Sequence, residues 1–192
     1  MEKLKSKEGF TLIEMVVALL ILVMIIVSMD TVMDSSLRIY NDATFEADSA
    51  SMAGIVNTNI GDILRYVDYI KTNEDGVFVG ADGGQLSNVE FVFTSYDYGV
   101  QDAYFYLAPD AERGSSGVLQ MRSLKNAGTV ELVNTGAYPN LAITDFDVVF
   151  TPNRDESGNI VSGYFEVTYT IFDVNHPDKT KDESCVVRLM NA

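Results

Sequence analysis

The stretch that decides the fold is residues 10–29, with the sequence FTLIEMVVALLILVMIIVSM. It holds twenty residues and a single charged side chain, Glu14. A helix rises about 1.5 Å per residue, so this run spans roughly 30 Å, the thickness of the hydrocarbon core of a bilayer. We therefore predict a transmembrane helix segment over residues 10–29.

The charges on either side of this segment predict its orientation. Residues 1–9, MEKLKSKEG, carry three lysines, whereas the first charges after the segment are the acidic Asp30 and Asp34. Because lysine-rich flanks stay in the cytoplasm, we predict a single pass of the cytoplasmic membrane with a cytoplasmic N-terminus. The apolar run is longer than the core of a usual secretory signal peptide, and no convincing small-x-small cleavage site follows it.

The composition argues against two kinds of site. The 192 residues include 13 basic and 28 acidic side chains, for a formal net charge of -15, and a nucleic-acid interface needs a basic face. Cys185 is the sole cysteine and His176 the sole histidine, so the chain cannot form an internal disulfide or assemble a zinc site from these residue types. We expect Cys185 to be a small buried apolar residue rather than a reactive thiol.

Helical periodicity continues beyond the apolar run. Apolar residues recur at spacings of 4, 4, 3, 4 and 3, which is one stripe of an α-helix. They are Met52, Val56, Ile60, Ile63, Val67 and Ile70. We predict an amphipathic extracytoplasmic helix over residues 30–72.

From residue 73 to 192 the pattern changes to strands separated by turns, which predicts an antiparallel β-sheet domain. Predicted turns lie at residues 73–76 and 81–84, and a hairpin loop at Asn153–Asn159. The predicted strands are Val89–Ser95, Asp102–Leu107, Val118–Leu124, Thr129–Asn134, Leu141–Thr151, Ser162–Phe172 and Ser184–Met190. The fold class is therefore α+β, with a long N-terminal helix packed on an antiparallel sheet.

Two strands alternate in a way that assigns their faces. In the first, Ala103, Phe105 and Leu107 are predicted to face the core, and Asp102, Tyr104 and Tyr106 to face solvent. In the second, Phe165, Val167, Tyr169 and Ile171 are predicted to face the core, and Tyr164, Glu166, Thr168 and Thr170 to face solvent. One buried and one wet face is typical of an antiparallel sheet covered on one side, here by the amphipathic helix.

The boundary before the apolar run carries the functional signal. Lys7, Glu8, Gly9 and Phe10 lead into T-L-I-E, and the apolar helix follows. In this region the chain resembles the type IV pilin and type II secretion pseudopilin family. The resemblance is direct over about the first thirty residues.

The resemblance implies specific processing and assembly. Residues 1–9 would be a leader that a prepilin peptidase removes after Gly9, and the new N-terminal residue, Phe10, would be N-methylated. Glu14 matches the residue thought to meet the N-terminal amine of a neighbouring subunit. The implied partners are other pilin or pseudopilin subunits, the prepilin peptidase, a membrane assembly platform and, before assembly, the lipid bilayer.

Glu14 can also be explained without the family. A carboxylate within an apolar helix costs roughly 2.5–3.5 kcal/mol on insertion scales, so it usually has a partner or a role. The alternative is that Glu14 lies close enough to the interface to reach water, which lowers that cost.

Two weaker signals have ordinary explanations beside them. Oxygen-bearing residues in the predicted hairpin loop could surround a calcium ion, although a solvated loop is the better interpretation and we expect no cofactor. They are Asn153, Asp155, Ser157 and Asn159. The tyrosines at 96, 98, 104 and 106 form either an exposed aromatic patch or half-buried strand residues, and the second is favoured.

These observations predict a structural protein. The interpretation is a minor pilin or minor pseudopilin that is held in the membrane and then assembled into an extracytoplasmic filament through its apolar helix. The alternative is a tip-located adhesin or substrate-binding module of the same filament. We predict no enzymatic activity, because no arrangement of nucleophile and general base stands out.

Overall fold

The computed structural model describes residues 11–72, 78–79, 85–86, 89–109, 117–125 and 128–190. The predicted turns at 73–76 and 81–84, and the predicted cleavage residues Gly9 and Phe10, lie outside the described residues. The chain divides into two units, Met1–Glu46 and Ala47–Ala192, and one helix contributes to both.

This helix, α1, spans Leu12–Arg65. Its residues up to Glu46 are exposed almost throughout, whereas its last twenty residues bury one face. The buried residues are Ser49, Met52, Ala53, Val56, Ile60, Gly61, Ile63 and Leu64. The predicted apolar stripe is therefore a packing face.

Ten strands are found among the described residues. They are β1 (Tyr69–Thr72), β2 (Phe78–Val79), β3 (Gln85–Leu86), β4 (Phe91–Ser95), β5 (Val100–Pro109), β6 (Gly117–Ser123), β7 (Thr129–Glu131), β8 (Leu141–Arg154), β9 (Ile160–Asp173) and β10 (Thr180–Arg188), with a short 3-10 helix at Thr135–Ala137. The main sheet has the order β1-β4-β5-β6-β8-β9-β10, with β7 paired to β6, and the recorded pairings are antiparallel. Strands β2 and β3 pair with each other. The α+β prediction is confirmed.

The core lies between the last part of α1 and the sheet. The hydroxyl of Tyr169, on β9, donates to the side-chain oxygen of Asn57 on α1 at 2.9 Å. The side-chain amide of Asn59 donates to the carbonyl of Leu132 at 2.6 Å. Aromatic rings from four strands fill the same layer, with centroids 4.7–6.5 Å apart, and they are Phe91, Phe93, Phe105, Phe146, Phe150, Phe165 and Tyr169.

The predicted helix over residues 30–72 is too long at its C-terminal end. The helix ends at Arg65, and Tyr69–Thr72 instead form β1, paired with β4. The amide of Asp68 donates to the carbonyl of Thr94 at 2.9 Å, so the backbone already pairs with the end of β4 one residue before β1 begins. Val67 is buried without being helical, which explains why the apolar stripe continues past the helix.

The predicted faces are right for β9 and partly wrong for β5. On β9 the four predicted core residues are buried, and Tyr164, Glu166 and Thr168 are exposed, with Thr170 half-buried. On β5, however, Asp102 and Tyr104 are buried, at 7 % exposure each. Asp102 has a φ of 46°, and the register between β4 and β5 shifts beside it. Such a bulge turns side chains away from the strict alternation of a regular strand.

The predicted loop Asn153–Asn159 is also shorter than expected. Strand β8 continues to Arg154 and β9 begins at Ile160. Gly158 adopts a φ of 86° in the tight turn between them, a conformation that favours glycine.

Candidate functional site at the start of the apolar helix

Thr11 and Glu14 cap the first turn of α1. One carboxylate oxygen of Glu14 accepts the backbone N–H of Thr11 at 2.8 Å and the Thr11 hydroxyl at 2.9 Å. The N–H of Glu14 lies 3.4 Å from the Thr11 hydroxyl oxygen, to which it donates. This reciprocal pairing is a capping box, in which the residue before the helix and the third helical residue satisfy each other's backbone N–H groups.

The capping role was missed in the sequence-based interpretation, which assigned Glu14 only to the membrane interface or to a neighbouring subunit. The signal was present, because a threonine followed three residues later by glutamate before an apolar run predicts a capped helix start. Glu14 therefore has a partner inside its own chain.

The surface that follows the cap is apolar on every side. Each leucine, isoleucine, valine and methionine side chain between Leu12 and Met33 is 51–84 % exposed. The helix contains an 18-residue window with a mean hydropathy of 3.0 and is long and apolar enough to cross a membrane by length and composition. This surface is consistent with membrane insertion, since a soluble helix normally covers such side chains.

Hydroxyl groups within this helix bond to its own backbone. Ser28 donates to the carbonyl of Met24 at 2.8 Å, and Thr31 donates to the carbonyl of Val27 at 3.1 Å. Ser35 donates to the carbonyl of Thr31 at 2.9 Å. These polar side chains therefore require no partner outside the helix.

Residues 4–29 match a protein-family model described as the prokaryotic N-terminal methylation motif. The chain carries the type IV pilin and pseudopilin signature. The signature covers Gly9, Phe10 and Glu14 and indicates a type IV pilin-like or pseudopilin protein. It implies in general that such a protein assembles with other pilin subunits and is processed by a prepilin peptidase. No curated protein and no solved structure compared with the chain gives a significant match.

The loop that was a weak calcium candidate lies far from the signature in sequence, and the carboxylate of Asp155 organises a turn there. Asp155 Oδ1 accepts the backbone N–H groups of Ser157 at 2.9 Å and of Asn159 at 2.8 Å. These bonds hold the pKa of the Asp155 carboxyl below its usual value, with the Asn159 N–H as the largest cause. Asn153 lies on β8, where its amide donates to the Ser162 hydroxyl. Within the described residues, no three His, Cys, Asp or Glu side chains group together to hold a metal ion.

The four tyrosines considered as an aromatic patch differ in their exposure. Tyr104 is buried in the sheet, and Tyr106 is half-buried with the guanidinium carbon of Arg122 4.0 Å from its ring centroid. Tyr96 and Tyr98, in the turn between β4 and β5, are 69 % and 46 % exposed. The prediction that these tyrosines pack into the sheet therefore holds for Tyr104 and Tyr106 and not for Tyr96 and Tyr98.

Cys185 is half-buried on β10 rather than fully buried. Burial raises the pKa of its thiol. Because the thiolate is the reactive form, this environment disfavours chemistry at Cys185.

A buried carboxylate that the sequence-based interpretation placed in solvent joins three parts of the sheet. Asp102 lies 2.6 Å from the ammonium of Lys71 on β1 and 2.8 Å from that of Lys125, which follows β6. Both pairs lower the pKa of the Asp102 carboxyl, and Lys125 is the larger cause. The backbone N–H of Asp102 donates to the Thr94 hydroxyl at 3.1 Å, which anchors the bulge to β4.

Proposed function

We propose that this chain is a structural subunit of a type IV pilus-like filament, as a minor pilin or minor pseudopilin. The observation that carries the proposal is the methylation motif at residues 4–29, which includes the start of a helix whose apolar side chains are exposed all round. A surface of that kind needs either lipid or other apolar helices around it. A membrane pool followed by packing into a filament supplies both in turn.

In this proposal a prepilin peptidase cleaves the chain after Gly9, and the amine of Phe10 is then methylated. The protein crosses the cytoplasmic membrane once, with its N-terminus in the cytoplasm, until an assembly platform moves it into an extracytoplasmic filament. The role is structural rather than catalytic.

Glu14 would serve two states of the protein in turn. In the lone subunit its carboxylate is bonded to Thr11 at the first turn of the helix. In a filament, where water is lost from the packed apolar helices, the N-terminal amine of a neighbour would offset the charge. Such a pair forms at only one axial stagger, so it would also fix the register between subunits.

The processing step is tested by the intact mass of protein purified from membranes of a host with an active prepilin peptidase. We expect a dominant species that begins at Phe10 and carries one methyl group. Loss of the leader removes three lysines and two glutamates, so the formal charge changes from -15 to -16 before the new amine is counted. A dominant species that still begins at Met1 would overturn the proposal.

A second candidate is a tip-located adhesin or substrate-binding module of the same filament. The exposed Tyr96 and Tyr98 favour it, because glycine, proline, asparagine, aspartate and serine dominate turns and two exposed tyrosines in one turn depart from that pattern. Subunit counting in purified filaments separates a major from a minor role, and binding of a ligand or secreted substrate by the part of the chain after Asp30 tests the binding module.

A further inference from the structure

Strand β10 lies at one end of the main sheet and, among the described strands, pairs with β9 alone. The N–H of Leu189 donates to the carbonyl of Gly163 at 3.0 Å, and the N–H of Asp173 donates to the carbonyl of Lys179 at 3.1 Å. Both bonds continue the β9–β10 register, and hydrogen-bonded pairs alternate along an antiparallel ladder. Odd-numbered residues of β10 therefore bond to β9, and even-numbered residues direct their N–H and carbonyl groups to the open edge.

An open edge of this length is a template for another strand. Strand β10 spans nine residues, and the side chains at its even positions are all exposed. Unpaired edges of two molecules readily join, so natural sheets carry features that prevent it. One such feature is a charged side chain that points to the core side of an edge strand.

Lys181 and Glu183 are charged side chains on the core side of β10. Lys181 is directly opposite Ile171 and Glu183 is directly opposite Tyr169, and these two residues of β9 are 0 % and 2 % exposed. Opposite residues of paired strands point to the same face of the sheet. The ammonium of Lys181 lies 3.6 Å from a carboxylate oxygen of Glu183, and each side chain is 24 % exposed. The two charges thus neutralise each other and keep part of their surface in water.

The registers open to a second copy of β10 do not suit these charges. Because even-numbered residues face the edge, an antiparallel pair of copies must match even positions with even positions. In the longest register, centred on Ser184, Lys181 is opposite Val187 of the second copy and Glu183 is opposite Cys185. A register centred on Cys185 sets Glu183 opposite Val187, and one centred on Glu183 sets the two carboxylates opposite each other.

We propose that Lys181 and Glu183 block the edge of β10 against a second copy of this chain. In the single subunit the two charges are stabilised by each other and by water. In an edge-to-edge pair they would lose water beside apolar side chains or beside a like charge, and the desolvation of ions is costly. The inference concerns the sheet alone and does not depend on the proposed filament.

The test compares the full chain with two variants in nonionic detergent, at one ratio of detergent to protein. Lys181→Thr/Glu183→Thr removes one positive and one negative charge, so the formal net charge stays at -15, and threonine favours strands. Asp182→Thr is the matched control, since it removes a charge from the exposed face between them and changes the net charge to -14. Net charge therefore predicts more association for the control, whereas the inference predicts it for the double variant.

Sedimentation equilibrium measures association, and hydrogen exchange of the amides at positions 182, 184 and 186 measures pairing at the edge. We expect the double variant to associate at a concentration at least about ten-fold lower than wild type and to protect these amides. Asp182→Thr should match wild type in both measurements. Adding Ser184→Pro to the double variant should abolish both effects, because proline lacks the N–H and is tolerated where that N–H faces solvent on an edge strand.

Two outcomes would overturn the inference. In the first, Asp182→Thr associates as strongly as the double variant, so that the placement of the charges does not matter. In the second, the double variant associates no more than wild type and its edge amides exchange as fast. Urea unfolding midpoints check that each variant folds, and Lys181→Thr alone gives the same comparison if the double variant lacks a transition. Association through α1 is common to all variants and leaves these amides unprotected.

Discussion

Residues 11–46 and residues 47–190 differ in where their polar side chains find hydrogen-bond partners. In the first region the polar contacts are local, as in the bonds from Glu14 to Thr11 and from the hydroxyl of Ser28 to the carbonyl four residues before it. In the second region they join elements far apart in sequence, as between Tyr169 and Asn57. These contacts of the first region thus lie within one helix, whereas the contact between Tyr169 and Asn57 joins the helix to the sheet.

The apolar side chains show the same contrast. Leucines and valines near the start of α1 are more than half exposed, whereas Val56, Ile60 and Leu64 near its end are fully buried. Burial against the sheet stabilises the second region by about 1.5–3 kcal/mol for each such side chain. The first region gains that stabilisation only from lipid or from another chain.

The largest expected effect comes from one substitution made in both regions. Leu64→Ala, at a buried site, should lower the free energy of unfolding of the sheet domain by about 3 kcal/mol. Leu20→Ala, at a site 54 % exposed, should change it by less than about 0.5 kcal/mol. Urea unfolding of the full chain in nonionic detergent measures both through tyrosine fluorescence, since the chain has no tryptophan. Equal losses would contradict the division of the helix into two regions.

The next effect concerns Glu14 and the proposed assembly. Glu14→Leu should insert and be cleaved normally but lose at least about ten-fold in the ratio of filament-associated to membrane-associated protein, because an unpaired partner charge costs several kcal/mol in a packed environment. Glu14→Gln should fail similarly, although glutamine at this position keeps the capping box. Glu14→Asp, one methylene shorter, should be intermediate.

Thr11→Ala is the matched control for the cap, since it removes the hydroxyl of the box but leaves the charge of Glu14. It should weaken the helix start by about 1 kcal/mol and leave incorporation close to wild type. Incorporation of Glu14→Gln at the wild-type level would eliminate charge pairing as the mechanism and would leave only the cap.

A smaller effect is expected at the buried carboxylate of the second region. Asp102→Asn should lower the free energy of unfolding by about 1–2 kcal/mol, because it removes charged hydrogen bonds to Lys71 and Lys125. Asparagine tolerates the positive φ at this position, so the variant isolates the charge. Asp145→Asn is the control, since Asp145 also has a positive φ, 49°, but is exposed on β8, and its effect should be near zero.

The pH dependence of the same variant gives an independent check. The folded state lowers the pKa of Asp102 below the unfolded value, so the stabilisation is present above about pH 4 and is lost as the pH falls through the lower, folded pKa. The difference between wild type and Asp102→Asn should therefore be constant from pH 7 to about pH 5 and shrink in stronger acid. A difference that grows on acidification would show the opposite sign of coupling.

The smallest effect tests one contact between helix and sheet. Tyr169→Phe removes the hydroxyl that donates to Asn57, which should cost about 1 kcal/mol of unfolding free energy. Tyr164→Phe, on the exposed face of the same strand, should be neutral. Urea titration of both variants decides whether the polar contacts of the second region contribute to its stability or only accompany the apolar packing.

The parts of the fold that could be predicted are those in which apolar residues recur at the spacing of a helix or of a strand. The stripe through Met52, Val56 and Ile60 has helical spacing and is buried as expected. The alternation of β9 has the period of a strand with one buried face, and its core residues were assigned correctly. The signature at residues 4–29 was recognisable because its residues lie together in sequence.

The parts that could not be predicted depend on partners distant in sequence. The helix ends at Arg65 because the next residues pair with β4, about 25 residues later, and nothing local in the apolar stripe marks that point. Asp102 faces inward because Lys71 and Lys125 meet at a bulge, a combination that alternation along one strand cannot reveal.

The hydroxyls of Ser28, Thr31 and Ser35 have a consequence for a helix that changes its surroundings. Each hydroxyl donates to the carbonyl four residues back along the same helix, so its acceptor moves with it. Moving the helix from lipid to protein neighbours, or back, therefore breaks none of these bonds and requires no new ones. The helix can therefore move between lipid and protein surroundings with these bonds intact. Among its first eighteen residues, Leu12 to Met29, Glu14 is the one charged side chain, so the free energy of transfer is set by Glu14 and the apolar side chains.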